Sequence, residues 1–339
     1  MSHITSSHPR TRLAAAAATT VIAIGSLTAC AGQTPAGTPD AEELPIPLTG
    51  AIWKTNGSAV IYTAIRSGYG EKYGLDLDFE YIDNGAAAIS QLMSGEVDFA
   101  GNSFFAVVDA NLNGLDISAV APMVLTAPDY MTIEALPDSG IDSVEDLVGK
   151  TVAVTNLNSA QDMKIKYALL QADIDPEEVT FVELPFSEVP AALERGTVDA
   201  GILNSTFQVT AREELDTQVV LDLGGGLFDG FTESGVLMRR SFIADNPETV
   251  ARFQCALADS ANALLESDDV YTEVAIEDAG LDVDTVANTG KPLFAPTLDH
   301  DAVQVSADMM QALGTIDDEF DVSQVIVDPP EDCASLVVE

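Results

Sequence analysis

The sequence predicts an α/β protein of two lobes, each a parallel-type mixed sheet flanked by helices, with a ligand cleft between them. Three observations predict it. Leu92-Met93-Ser94-Gly95-Glu96-Val97-Asp98 recurs 101 residues later as Leu193-Glu194-Arg195-Gly196-Thr197-Val198-Asp199, with Leu, Gly, Val and Asp identical. Ala51 to Ala59 and Val152 to Ala160 form a second pair at nearly the same offset, each carrying Thr-Asn and ending in Ser-Ala. In both halves strands alternate with helices, which implies right-handed crossovers and parallel pairing.

The N-terminus reads as an export signal. Arg10 and Arg12 precede an uncharged, small and apolar run from Leu13 to Leu27, and Leu27-Thr28-Ala29-Cys30 follows. A membrane-spanning helix is the alternative, but the run is short and Ala-rich and a Pro/Gly/Thr segment comes at once. Leu-Thr-Ala-Cys resembles a bacterial lipobox. That resemblance implies a signal peptide over 1–29, a diacylglyceryl thioether on Cys30 and anchoring at the outer face of the cell membrane. Residues 30–44 read as a flexible tether.

The elements then follow in order. Ala51 and Ile52 begin a strand–loop–helix unit. Ile61 to Tyr73 is helical and ends near Gly74, and Leu77 to Ile82 alternates apolar and polar residues as a strand does. Ala-rich helices lead to Gly95 and Gly196, each placed to end its helix in the left-handed conformation, and a strand follows each. Ile117 to Leu125 is a largely apolar strand. In the second half, Asp162 to Ala172 is a helix and Val179 to Leu184 a strand. Val219 to Leu223 is a strand before Gly224-Gly225-Gly226, a flexible connection that lacks the Lys-Ser/Thr of a phosphate loop. Pro247 to Glu266 is a long helix capped by Asp245 or Asn246. The remainder is helical pieces broken at Gly280, Gly290 and Pro292.

Composition narrows the function. Of 339 residues 14 are basic and 55 acidic, a net charge of −41, which becomes −43 once Arg10 and Arg12 leave with the signal. Such a field repels nucleic acid and anionic lipid, and it suits solubility or a salty habitat. The histidines are His3, His8 and His300, so the mature chain keeps one and is poorly equipped for His-based catalysis or a His-ligated metal. Cys255 and Cys333 remain, and outside the cytoplasm they read as a disulfide, with two buried thiols as the alternative.

Ligands of open α/β sheets sit beyond the carboxyl ends of the strands. The loops there are Trp53 to Ser58, Asn84-Gly85, Asn102 to Phe105, Thr155 to Gln161 and Asn204 to Phe207. They are rich in neutral hydrogen-bonding groups and aromatic rings, which suits binding without bond breaking. Ser58 and Ser159 open helices whose free N–H groups favour an anionic group, and each also reads as a plain N-cap. Asn56, Asn102, Asn156 and Asn204 recur at equivalent places, as ligand contacts or as turn residues. Trp53, directly before a polar loop, reads as a pocket wall. Asp98 and Asp199 satisfy nearby backbone rather than form a catalytic pair.

Gly70 to Asp78, Leu92 to Asp98, Asp146 to Val154, Leu193 to Asp199 and Asn246 to Val250 together resemble the nitrate/sulfonate/taurine and thiamine-precursor group of periplasmic-type binding proteins, over roughly residues 47 to 265. The resemblance implies the type II bilobal fold with crossings near Thr126 to Pro128 and Phe228 to Thr232. Lobe 1 is then 45–126 and 230–339, and lobe 2 is 127–229. It implies a cleft lined by Trp53, Asn56, Gly57 and Ser58, by Asn102, Ser103 and Phe104, and by Asn156, Asn158 and Ser159. Asp129 and Tyr130 flank the first crossing, and Asn84, Asn204 and Ser205 complete the candidate set. Members that take small oxyanions often supply Arg or His. Here Lys54 is the one basic residue of these loops, which argues against a ligand such as nitrate.

The function implied is a monomeric, extracytoplasmic solute-binding lipoprotein of an ABC importer. It would capture a small organic solute, a sulfonate, vitamin precursor or similar, and deliver it to a membrane permease driven by an ATPase. No catalytic residue, cofactor, metal or nucleic acid is expected. A ligand-sensing receptor domain is the alternative, and an enzyme of the pyrimidine-synthesis type is a further one.

Overall fold

Ten strands form two five-stranded sheets among the described residues. The computed structural model describes residues 45–82, 84–157 and 159–338. The signal, the tether with Cys30, and Asn158 lie outside the described residues.

The first half runs β1 (Ile46–Ile52), α1 (Ala59–Arg66), α2 (Tyr69–Lys72), β2 (Leu75–Tyr81), α3 (Gly85–Ser94), β3 (Phe99–Ser103), α4 (Phe104–Leu112) and β4 (Ile117–Leu125). The second runs β5 (Met131–Ala135), β6 (Thr151–Val154), α5 (Ala160–Gln171), β7 (Thr180–Glu183), α6 (Val189–Glu194), β8 (Ala200–Asn204), α7 (Ser205–Leu215) and β9 (Gln218–Asp222). The chain returns through β10 (Thr232–Arg239) and α8 (Arg240–Asp245). It then enters α9 (Pro247–Glu266), α10 (Asp268–Glu277), α11 (Val283–Asn288) and α12 (His300–Ala312).

The sheet orders are β2-β1-β3-β10-β4 and β7-β6-β8-β5-β9. Four strands of each run in one direction, while β10 and β5 run antiparallel to both neighbours. Each antiparallel strand is the one the chain enters directly after passing between sheets, at 126–130 and at 223–231.

The repeated motif has the same physical job twice. Gly95 ends α3 at φ 81° and Gly196 follows α6 at φ 64°, a backbone that would strain a residue with a Cβ. Asp98 Oδ2 accepts the Thr49 N–H at 3.0 Å, and the Asp98 N–H donates to the Thr49 carbonyl at 2.8 Å. Asp199 repeats both bonds with Thr151, at 2.8 Å each. Leu92, Val97, Leu193 and Val198 are buried. The motif thus pins the third strand of each half to its first.

Two expectations change. The helix read over Ile61 to Tyr73 is two, α1 and α2, because Gly68 adopts φ 71° between them. The Gly224-Gly225-Gly226 connection is an ordered turn: Asp222 Oδ1 accepts the Gly224 and Gly225 N–H groups at 2.8 and 3.1 Å.

The C-terminal segment covers the outer edge of β4, which would otherwise offer unpaired backbone. Ile326 bridges Ala119 and Leu293 bridges Leu125. Gln254 on α9 donates to the carbonyls of Val120 and Val327 at 2.9 and 2.8 Å. Cys255 and Cys333 are disulfide-bonded with Cα atoms 5.6 Å apart, which fastens the tail to α9. Among the described residues no helix is long and apolar enough to cross a membrane, and no group of three His, Cys, Asp or Glu side chains could hold a metal ion.

Candidate functional site

The carboxyl ends of the parallel strands adjoin the two crossings. Ser103 at the end of β3 is in register with Ser234, and Asn204 at the end of β8 with Met131. The crossings bind each other. Thr126 donates from its N–H to the Phe231 carbonyl at 2.9 Å and from its hydroxyl to the Phe228 carbonyl at 2.7 Å. Asp222 Oδ2 accepts the Asp129 N–H at 3.0 Å.

Against this junction lies the loop after β1. Asn56 is buried and donates to the Tyr271 hydroxyl of α10 at 2.9 Å. Ser58 does not cap α1. Its hydroxyl donates to the Trp53 carbonyl at 2.8 Å, and that carbonyl also accepts the Tyr62 hydroxyl at 3.2 Å. Trp53 is half-buried and packs on the core. A Cβ on Gly57 would stand 3.1 Å from the Tyr130 hydroxyl oxygen, so glycine permits this close approach.

Tyr130 is 8% exposed, and its hydroxyl has no hydrogen-bond partner among the described residues. Burial, then the charge of Glu233 and the presence of Tyr271, raise its pKa well above the usual phenol value. Burial likewise raises that of Tyr271. Asn56 bonded to Tyr271, and Tyr130 beside Gly57, thus gather polar groups at the junction, with the Glu233 charge within electrostatic reach of Tyr130.

The other candidates divide by role. Asn84 caps α3 by accepting the Ala87 N–H at 2.9 Å, and Ser103 caps α4 through Ala106 at 3.3 Å. Ser159 caps α5 through Asp162 at 3.4 Å. Asn102 spends both ends of its amide on backbone, donating to the Gly85 carbonyl and accepting from the Ser103 N–H, each at 2.9 Å. Asn156 is exposed and donates to the adjacent Thr155 carbonyl at 2.6 Å. Asn204 precedes α7 without a side-chain cap, and Ser205 is buried at φ 37°. Phe104 is 0% exposed, its ring facing Gly235, so its place is the core and not a cleft wall.

Asp129 also has a structural task. It takes φ 62° and receives both Arg212 Nη groups, at 2.6 and 3.0 Å. Arg212 donates further to buried Glu134, which accepts from Thr132 and Thr217 as well. The bond to Asp129 is the main reason the Arg212 pKa lies above its usual value. A second cation, Lys164 of α5, donates to Glu233 at 2.6 Å and to the Leu223 carbonyl at 2.9 Å. Lys54 stands 5.7 Å from the Tyr81 ring centroid. The loop reading missed Tyr271, Lys164, Arg212 and Glu233, because all four lie inside helices or a strand. Lys164 left a signal: it shares one helix face with Ala160 and Ala168, both buried.

The strand ends thus present hydroxyls, amides and aromatic rings, with exposed Glu183 at the end of β7, while Lys164 and Arg212 are engaged by acidic partners. Such a surface binds by hydrogen bonding and stacking. The riboflavin-binding protein RibY of Chloroflexus aurantiacus is 25% identical over 268 residues, 74% of each chain. The formylaminopyrimidine-binding protein of Halalkalibacterium halodurans is 24% identical over 219 residues, 64% of this chain and 65% of its own. The periplasmic aliphatic sulphonate binding protein of Escherichia coli superposes with a TM-score of 0.69 at 18% identity, over 83% of this chain and 97% of its own. The fold is that of the periplasmic binding proteins. The family described as NMT1/THI5 like matches residues 55–269, more than half of the sequence, and the chain belongs to it.

Proposed function

We propose that the protein is the extracytoplasmic solute-binding component of an ABC importer. It captures a small organic solute between its lobes and delivers it to a membrane permease. The carrying observation is the polar junction of Asn56, Tyr130, Tyr271 and Glu233, set where two crossings join two open sheets. Hinge closure of one lobe on the other would enclose it. Residues 45–126 and 230–339 serve as one lobe and 127–229 as the other. Relatives named for formylaminopyrimidine and riboflavin support a solute of vitamin-precursor type, and the fold neighbour named for sulphonate keeps that class in the panel.

Binding without turnover fits the side chains available. Cys255 and Cys333 are bonded to each other, and His300 at the start of α12 pairs with Asp328 at 3.0 Å. The lipobox at Cys30 supports anchoring of the mature chain at the outer face of the membrane, where an importer collects solute.

The test is a thermal-shift screen of residues 31–339 against sulfonates, pyrimidines and flavins. Solute at about 100 times its Kd adds about 2.7 kcal/mol and raises Tm visibly. Each hit is recovered after incubation and analysed by mass. Chemical conversion of the hit, or no shift with any class, counts against the proposal. Acylation is checked separately: Cys30→Ala should release the protein from the membrane fraction.

A further inference from the structure

The first crossing has backbone on both of its sides. Successive residues of an extended chain offer their bonding groups to opposite sides. On one side stands the second crossing: the Thr126 N–H donates to the Phe231 carbonyl at 2.9 Å, and a Cβ on Gly224 would lie 1.9 Å from the Ala127 carbonyl oxygen. On the other side stands a segment from much later in the chain, residues 290–293. Leu125 and Leu293 exchange N–H to carbonyl bonds of 2.9 and 3.0 Å in an antiparallel bridge, and the Gly290 N–H donates to the Asp129 carbonyl at 3.1 Å. A Cβ on Gly290 would lie 2.5 Å from the Pro128 carbonyl oxygen, the Asp129 carbonyl carbon and the Tyr130 nitrogen, all backbone atoms, so glycine is what lets the two segments meet. Residues 125–129 are thus the middle one of three backbone segments. The helices flanking the third segment reach the second sheet. α11 packs on α7, and α12 packs on α5 as well as on α4 and β10. Val303, Ala307 and Met310 of α12 share one buried cluster with Ile165 and Leu169 of α5 and Phe105 of α4. Next to Ile165, Lys164 ties α5 to the first sheet. Its side chain is 1% exposed, it donates to Glu233 of β10 at 2.6 Å, and its ammonium stands 5.5 and 4.9 Å from the Phe228 and Phe231 ring centroids.

We infer that residues 283–312 form a brace across the two crossings. It holds the sheets at one relative angle, so the second half can twist slightly about residues 125–129 but cannot swing widely. A wide swing would part α5 from α12 and expose their shared apolar side chains to water. It would also pull the Leu125–Leu293 and Gly290–Asp129 backbone bonds apart. Two crossings alone make a pair of parallel straps, which bend together easily. The third segment bonds one of those straps, and its two helices grip the second sheet at separate places, α7 and α5. The inference concerns the protein without solute and does not rest on the solute-binding reading.

The test measures the distance between the halves with two spin labels. Glu96→Cys and Arg195→Cys place one label on the exposed turn of each copy of the repeat. In residues 31–339 the native cysteines, Cys255 and Cys333, are bonded to each other and take no label. Double electron–electron resonance is recorded on protein that native mass spectrometry shows to carry no small molecule. The brace predicts one narrow distance peak. Gly290→Ala sets a methyl group against the backbone of the first crossing, so it should broaden or split that peak. A broad or two-peaked distribution without Gly290→Ala overturns the inference, and so does a peak that Gly290→Ala leaves unchanged. Hydrogen exchange of the wild type reads the same contact should Gly290→Ala fold poorly. The amides of Leu125, Gly290 and Leu293 should exchange about 100-fold or more slower than unprotected amides; exchange near the unprotected rate would also overturn it. Failure to find a solute removes the reading above and leaves these results standing.

Discussion

Lys164→Met removes the ammonium but keeps an unbranched stem against Phe228 and Phe231. It leaves Glu233 at the junction without its cation, and it removes the lysine's bond to the Leu223 carbonyl. Breaking a buried ion pair by removing one partner costs about 3–5 kcal/mol. Glu233 retains 12% exposure, so water can reach it and the lower end applies, about 3 kcal/mol. For a chain of this size each kcal/mol moves Tm by about 2 °C, which gives a fall of about 6 °C. Glu233→Gln leaves Lys164 buried with a neutral acceptor and should cost a similar amount. The double variant Lys164→Met/Glu233→Gln has no orphaned charge. Its loss should therefore fall short of the sum of the single losses by about 1–3 kcal/mol. Urea unfolding of the four proteins, followed by circular dichroism under one buffer, measures that coupling. Losses that add within about 0.5 kcal/mol would refute the claim that the pair ties the two sheets together.

Three further outcomes follow from the same geometry. Gly57→Ala sets a Cβ 3.1 Å from the Tyr130 oxygen, so it should displace that hydroxyl and weaken solute binding by about 10-fold with little change in Tm; unchanged affinity would separate Tyr130 from the site. Cys255→Ala/Cys333→Ala opens a loop of 78 residues, for which chain entropy gives about 4.5 kcal/mol of lost stability in urea; a loss under about 1 kcal/mol would mean that Gln254 and Arg252, which donates to the Leu336 carbonyl at 2.7 Å, hold the tail unaided. The net charge of −41 repels itself at low salt, so the urea midpoint should rise as added salt shortens the Debye length from about 30 Å at 0.01 M to about 3 Å at 1 M; a flat response would give the acidic surface no part in stability.

The repeat was legible because each of its residues has a local duty. Gly95 and Gly196 supply positive φ, Leu92 and Leu193 fill the core, and Asp98 and Asp199 bind the backbone of the first strand. Two copies of such a unit imply two similar sheets with little further argument. Strand direction was less legible. β4 is a largely apolar run buried on both faces, and β10 is buried through its middle at Val236, Leu237 and Met238; such stretches carry no sign of whether a neighbour is parallel or antiparallel. The site divides along the same line. Ser159 could be placed as a cap because a cap acts within one turn of its own helix, whereas Ser58, read the same way, bonds the Trp53 carbonyl instead. Phe104 was misplaced for a related reason: once Ser103 caps, the helix turns the next residue inward, and Phe104-Phe105 with Val107-Val108 is a core-facing pattern. What defines the polar junction is not local. Asn56 meets Tyr271 across 215 residues, and Lys164 meets Glu233 across 69. A lysine within a helix ordinarily reads as a solvated charge, because burying one without a partner costs too much. Lys164 is the exception because Glu233 arrives from the other sheet, so the pair depends on the chain returning through the second crossing. The chemistry that would sort one solute from another is thus assembled by topology.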